Sequence, residues 1–419
     1  MRLRWVITAA WLLLLLSVGG GCLSPTAKRT RYTYNPDYGA EDPQFLRSLQ
    51  ALRTGIRPGN QARLLENGDA LWADMFDALR AARHSINIET YIFSDGKLSR
   101  ELTEILCERA RAGVAVHMLV DAWGARAPLL EAQLQAAGVR YRIYKPIRLY
   151  ALYHIEDRTH RKLVIVDGRI GYCGGFCFDD RWLGDARNPK EWRELTVRME
   201  GPVVAQMQSI FLEDWLHTTG EVLHGDAHFP ALPLAGEQLA QAISSTRHDQ
   251  ASVSKLMVYM AIQAARRRIW IANAYFVPDA QIRTALKNAA HRGVDVRIIT
   301  PGANTDFAML RNASRFYQAD LIKHGIKIYE YQPTMMHSKA MVVDSIWSTI
   351  GSINLNARSF KKNAEANVMI YDYKFAEELE RALAKDMEQS REITLEEVRR
   401  RGPCAHLREF WSSLFSERY

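Results

Sequence analysis

Two histidines in this 419-residue chain each stand two positions before a lysine, in His160-Arg161-Lys162 and in His337-Ser338-Lys339. Five residues after each lysine comes an aspartate, Asp167 and Asp344. Seven residues further on, a small-residue turn begins, Gly174-Gly175 in one case and Gly351-Ser352 in the other. Side chains alternate along a strand, so a His and a Lys two apart share one face. An imidazole can attack phosphorus or move a proton, and an ammonium can hold a phosphate oxygen. Two copies supply one histidine for each task.

The elements that must position these residues are also duplicated. Residues 78–88 match residues 261–271, and 113–119 match 293–299. Residues 138–146 match 325–333, and the two histidine phrases follow in the same order. The first half reads as a helix over 70–83, a strand over 86–93, a helix over 98–111, a strand over 114–120 and a helix over 129–137. A further strand then precedes the His-Lys strand, and the second half repeats the order from Lys255 onward. Strands alternating with helices predict an α/β fold, two similar halves that are each a mixed sheet flanked by helices. The expected divisions are a leader over 1–24, a polar tether over 25–60, the first half over 61–215, a linker over 216–250, the second half over 251–390 and a tail over 391–419.

With the motifs in place, the chain resembles the phospholipase D superfamily, whose signature is His-x-Lys-x4-Asp followed by a Gly-rich turn and Asn. It looks closest to the cardiolipin synthase branch, through Leu64-Leu-Glu-Asn-Gly68, Ile88-Glu-Thr-Tyr-Ile-Phe93, Met199-Glu-Gly-Pro-Val203 and Asn354-Leu-Asn-Ala-Arg-Ser-Phe360. The resemblance implies two phospholipase D-like halves packed around one shared active site. It implies that His160 attacks to form a phosphohistidine, while His337 protonates the leaving alcohol and later deprotonates the incoming one. Lys162 and Lys339 would clamp the phosphate, with Asn354 and Ser352 as further substrate contacts. Glu194 and Glu365 match carboxylate positions of the family, and a nucleophilic histidine works better when a carboxylate holds its other ring nitrogen. The expected pairs are Glu194 with His160 and Glu365 with His337. Asp167 and Asp344 are expected to buttress turns. The reading calls for no metal and no cofactor, because two ammonium groups supply the charge. One departure stands out: Cys177 occupies the first-copy position of Asn354, and a thiol donates only weak hydrogen bonds.

A composition of 47% hydrophobic and 24% charged residues is that of a globular protein rather than a disordered chain. The net charge of +8 favours an anionic partner: nucleic acid, an anionic membrane or a phosphorylated substrate. The five cysteines form no CxxC pair, and Cys173 and Cys177 are expected as buried free thiols. Arg2 and Arg4, the apolar run from Trp5 to Val18 and Gly19-Gly20-Gly21-Cys22 read as an export signal. Cys22 resembles a lipoprotein lipidation site, with Gly19 where that pattern prefers Leu; a conventional signal peptide or an uncleaved anchor is the alternative. Export argues for lipid over nucleic acid, so the expected partners are an anionic phospholipid such as phosphatidylglycerol and a membrane surface, probed from the periplasmic side. Arg266-Arg267-Arg268 reads as a solvated helix end. In the tail, Leu407, Phe410, Trp411, Leu414 and Phe415 give a short helix one apolar face, suited either to a membrane interface or to the protein's own core. The leading function is transfer of a phosphatidyl group between phospholipids. The alternatives are a hydrolase, a phosphodiester nuclease and a non-catalytic lipid-binding protein.

Overall fold

In a computed structural model, residues 32–51, 55–146, 157–245 and 253–415 are described. Cys22 and the start of the chain, expected to be an export signal, lie outside them. Fifteen strands form one mixed sheet, and its order displays the duplication. In each half three parallel strands come first: Ser85–Thr90, Ala115–Asp121 and Arg140–Tyr144, then Arg268–Asn273, Asp295–Pro301 and Lys327–Tyr331. Four antiparallel strands continue each sheet inward. In the first half they are Leu163–Val166, Ile170–Gly174, Leu195–Glu200 and Arg57–Glu66; in the second they are Lys339–Val343, Trp347–Gly351, Glu365–Tyr371 and Gln238–Ser245. The innermost pair, Arg57–Glu66 and Gln238–Ser245, joins the halves antiparallel, with Arg57 opposite Ala240. The second half adds an edge strand, Ser390–Glu392.

The helices expected in the first half are present as Asn67–Ala81, Lys97–Arg111 and Pro128–Ala136. Their apolar stripes (Leu71, Met75, Leu79; Leu98, Leu102, Ile105) pack on the buried strand Ser85–Thr90 and its neighbours. Two further helices, Val203–Thr219 and Tyr373–Glu388, build a core common to both halves, in which Met207, Phe211 and Trp215 belong to the same cluster as Phe375, Leu379 and Leu383.

Two boundaries differ from expectation. The tether expected over 25–60 is part of the fold from Tyr34 onward: the helix Pro43–Gln50 buries Phe45 and Leu49, and Arg266 donates to the carbonyls of Pro36 and Tyr38. The linker expected over 216–250 holds the joining strand Gln238–Ser245; its polar faces hid a sequence that pairs on both edges. Arg266 and Arg267 are exposed just past the helix Val253–Ala264, the solvated helix end that was expected, and the backbone N–H groups of all three arginines donate to the carboxylate of Asp344. Asp167 does the same for Arg83, His84 and Ser85. Both aspartates have φ near +50°, so each turns the chain after its His-Lys strand while tying down the start of the first parallel strand.

Candidate active site

His160 and His337 do not lie within strands. Each sits in an extended segment just ahead of one, and that segment pairs with the opposite half. The His160 N–H donates to the Ala364 carbonyl at 2.8 Å, and the Ala364 N–H to the Arg158 carbonyl at 2.9 Å. In the other copy, the His337 N–H donates to the Arg193 carbonyl at 2.8 Å and the Arg193 N–H to the Met335 carbonyl at 2.9 Å. Ala364 and Arg193 each immediately precede a glutamate. These two bridges therefore carry Glu365 to His160 and Glu194 to His337.

The expected carboxylate pairing is thus corrected, since the pairs cross between halves. His160 Nδ1 lies 2.9 and 3.1 Å from the Glu365 oxygens, and His337 Nδ1 lies 2.8 Å from Glu194 Oε2. Position along the chain suggested pairing within a half; the bridges to the other half decide otherwise. Lys162 Nζ donates to the His160 carbonyl at 2.5 Å. Lys339 Nζ lies 2.9 and 3.0 Å from the two ring nitrogens of His337 and also contacts that residue's carbonyl.

Both histidines line one cavity of about 290 Å³, together with Lys162, Cys177 and Asn354. This is the scale of a small polar group such as a headgroup. Arg158, Arg181 and Arg358 add positive charge to its wall, against the single carboxylate of Asp306. Asn354 Oδ1 is buried without a hydrogen-bond partner. Among the described residues no cluster of metal-ligating side chains is found.

Ser352, expected to touch substrate, is corrected to a carboxylate support. It is fully buried, donates to Glu365 Oε2 at 2.6 Å and accepts from the Ala366 N–H. Ser359 donates to Glu365 Oε1 at 2.7 Å, and the Asn363 amide does so at 3.3 Å. The equivalent positions of the first copy carry other chemistry. Gly175 stands where Ser352 does (352 − 175 = 177) and Trp182 where Ser359 does (359 − 182 = 177), the offset that also separates the two histidines. Glu194 therefore receives only the Trp182 indole N–H at 3.2 Å and the Leu195 N–H at 3.0 Å besides His337. A Cβ on Gly175 would come within 2.4 Å of its Oε2.

This difference in support separates the two carboxylates. Burial works to raise Glu365, but His160, Lys162 and the Ser352 hydroxyl outweigh it and hold the group below its ordinary value. Burial pushes Glu194 up to about 7, even against the charge of Lys339. Burial also draws His160 down to about 4, against the pull of Glu365. His337 is drawn well below its ordinary value by burial and by Lys339. Lys339 itself falls to about 7 through burial, with Glu194 opposing. Near neutrality His160 is a neutral imidazole backed by an ionised carboxylate. His337 is neutral there as well, beside Glu194 and Lys339, which both lie at about 7.

The aromatic frame was not foreseen. The Tyr91 ring centroid lies 5.3 Å from that of His160, and Trp182 and Trp192 each lie 5.2 Å from that of His337. Trp192 and Ser359 stand inside motifs already visible in the sequence, beside Glu194 and after Asn354. Arg158, on the cavity wall and 3.7 Å from the buried Asp121 carboxylate, gave no such signal.

The duplicated fold, the paired His-x-Lys motifs and the single cavity between them define a phospholipase D-type enzyme. More specifically, the chain belongs to the family described as cardiolipin synthase, PLD-like domain, whose profile matches residues 75–215 and 258–387. It is 34% identical to a probable cardiolipin synthase of Bacillus subtilis, over 89% of this chain and 75% of that protein. It is 36% identical to cardiolipin synthase A of Pseudomonas putida, over 86% of this chain and 75% of that one. Among solved structures, a phosphatidylserine synthase of Haemophilus influenzae shares the fold with a TM-score of 0.70, at 13% identity over 90% of this chain and 99% of that one.

Proposed function

We propose that the chain moves a phosphatidyl group from one phosphatidylglycerol molecule to the hydroxyl of a second lipid, making cardiolipin, through a phosphohistidine on His160. In the first step His160 Nε2 bonds to phosphorus, and the bond from phosphorus to the donor's glycerol oxygen breaks. His337 supplies that oxygen's proton, and glycerol leaves. In the second step the acceptor hydroxyl gives its proton back to His337, its oxygen bonds to phosphorus, and the P–N bond breaks. Lys162, Lys339 and Asn354 hold the non-bridging oxygens throughout, where fixed positive charge is most effective in a dry site.

The observation that carries the assignment is the inequality of the two glutamates. An attacking imidazole needs a free Nε2 lone pair and an Nδ1–H held by an anion, and Glu365, kept ionised by His160 itself, by Lys162 and by the Ser352 hydroxyl, meets that need. An acid–base histidine needs a proton available near neutrality, and Glu194 at about 7 beside His337 meets that one. The names of the relatives support a phospholipid substrate. The basic and apolar start of the chain supports an exported, membrane-associated enzyme facing the periplasmic side, with Cys22 as the candidate for lipidation. Among the described residues no helix is long and apolar enough to cross a membrane.

Purified protein incubated with phosphatidylglycerol and examined by thin-layer chromatography tests the reading. Cardiolipin and glycerol are expected. Phosphatidic acid alone would make the protein a hydrolase, and no turnover would make it a lipid-binding protein. Plasmid cleavage at a comparable rate would make it a nuclease.

A further inference from the structure

We propose that the C-terminal helix Pro403–Leu414 is a docking surface for an anionic bilayer and holds the cavity mouth against the membrane. The helix packs on Ala308–Phe316, but with the wrong face for a core helix. Its buried residues are Glu409 and Ser413, while Leu407, Phe410, Trp411 and Leu414 point to solvent. Trp411 and Leu407 are each 56% exposed, and Glu409 is 3% exposed. The inward carboxylate is satisfied by Arg401 at 3.0 Å, and Arg401 in turn donates to Gln318 Oε1 at 2.6 Å. A polar seam with satisfied partners fixes the helix in this orientation, so the outward apolar stripe is part of the fold. Phe316, also exposed, extends the stripe, with its ring 6.0 Å from that of Phe410.

The occupant follows from position, charge and size. The supporting helix Ala308–Phe316 contributes Leu310 to the cavity wall, preceded by Phe307, so the stripe and the cavity share one element. Trp123, on the first half's share of the wall, is likewise exposed. Arg399, Arg400 and Arg408 flank the stripe in the sequence and are exposed, the pattern of an interfacial helix on anionic lipid. A cavity of about 290 Å³ matches the size of a headgroup, which places the acyl chains of such a lipid toward its mouth and an apolar phase beyond. The choice of a lipid surface over a second copy of the chain rests on the phospholipid substrate proposed above.

The test uses the full chain carrying Cys22→Ser and Cys404→Ser, with an environment-sensitive fluorophore on Trp411→Cys, on Leu407→Cys or, as control, on the exposed Asp77→Cys. Vesicles of phosphatidylserine and phosphatidylcholine provide a surface without the proposed substrate. A blue shift and protection from an aqueous quencher at 411 and 407 are expected, absent at 77 and weakened by salt or by purely zwitterionic vesicles. Unchanged emission at 411 while the protein floats with the vesicles would overturn the proposal, leaving attachment to the leader alone. A shift at 411 that grows with protein concentration without lipid would also overturn it, in favour of self-association. Because the readout needs no turnover, failure to make cardiolipin and failure to dock are separate results.

Discussion

Replacing Glu365 with Gln probes the crossed wiring of the site. The side chain keeps its shape, and its neighbours can adapt. With the amide nitrogen turned toward Ser352, that hydroxyl can swing to the Ala366 carbonyl, 3.2 Å away, while the remaining oxygen still accepts from Ser359 and His160. What disappears is the negative charge behind His160 Nδ1. A hydrogen bond to a charged group contributes about 1.5–3 kcal/mol. At about 1.4 kcal/mol per decade, phosphatidyl transfer should fall by about 10- to 150-fold, with the protein still folded by circular dichroism. The decisive assay is NMR of histidine selectively labelled with nitrogen-15. Glu365→Gln should move the ring resonances of His160 and leave those of His337 in place, and Glu194→Gln should do the reverse. If Glu194→Gln moved His160 and spared His337, the pairing between halves would be wrong.

Other perturbations follow from the same geometry. Glu194 has its folded value raised from 4.5 to about 7, so the folded state holds a proton that the unfolded chain has lost. Stability is therefore full below pH 4.5 and falls as pH rises toward 7, by about 3 kcal/mol at about 1.4 kcal/mol per pH unit. Thermal melts of wild type and Glu194→Gln should accordingly diverge across that window, and parallel curves would refute the shift. Gly175→Ala places a methyl 2.4 Å from Glu194 Oε2, so it should displace that carboxylate and cut turnover by about tenfold or more while the protein stays folded by circular dichroism. Asp344→Ala removes the acceptor for three backbone N–H groups and should cost about 2–4 kcal/mol in urea unfolding, with the kcat of the folded fraction retained.

The sequence made the repeat unusually legible. Two matching phrases with the same spacing, inside halves of matched periodicity, disclosed the α/β class, most helices and the family. It was less informative wherever the answer lay between the halves. Nothing near Glu194 or Glu365 tells which histidine each will meet, because the bridges Thr159–Ala364 and Arg193–Met336 join residues far apart in the chain. Gln238–Ser245 escaped notice because a strand paired on both edges needs no strong apolar alternation when helices cover only part of it. Ser352 looked like a phosphate ligand because serine is one in many sites; its burial behind Glu365 is a tertiary fact. Cys177, which stood out in the motif, lines the cavity as a buried thiol opposite the better-furnished second copy.

The central claim is that His160 carries the phosphatidyl group between two lipids. Its most direct test is to mix the wild-type protein with phosphorus-32-labelled phosphatidylglycerol, quench rapidly during turnover, digest and map the label. A base-stable, acid-labile phosphoramidate on the peptide containing His160 is the predicted result, with none in His160→Asn and little in His337→Asn, which lacks the acid for the first step. Label on any other residue, or wild-type transfer rates in His160→Asn, would contradict the account.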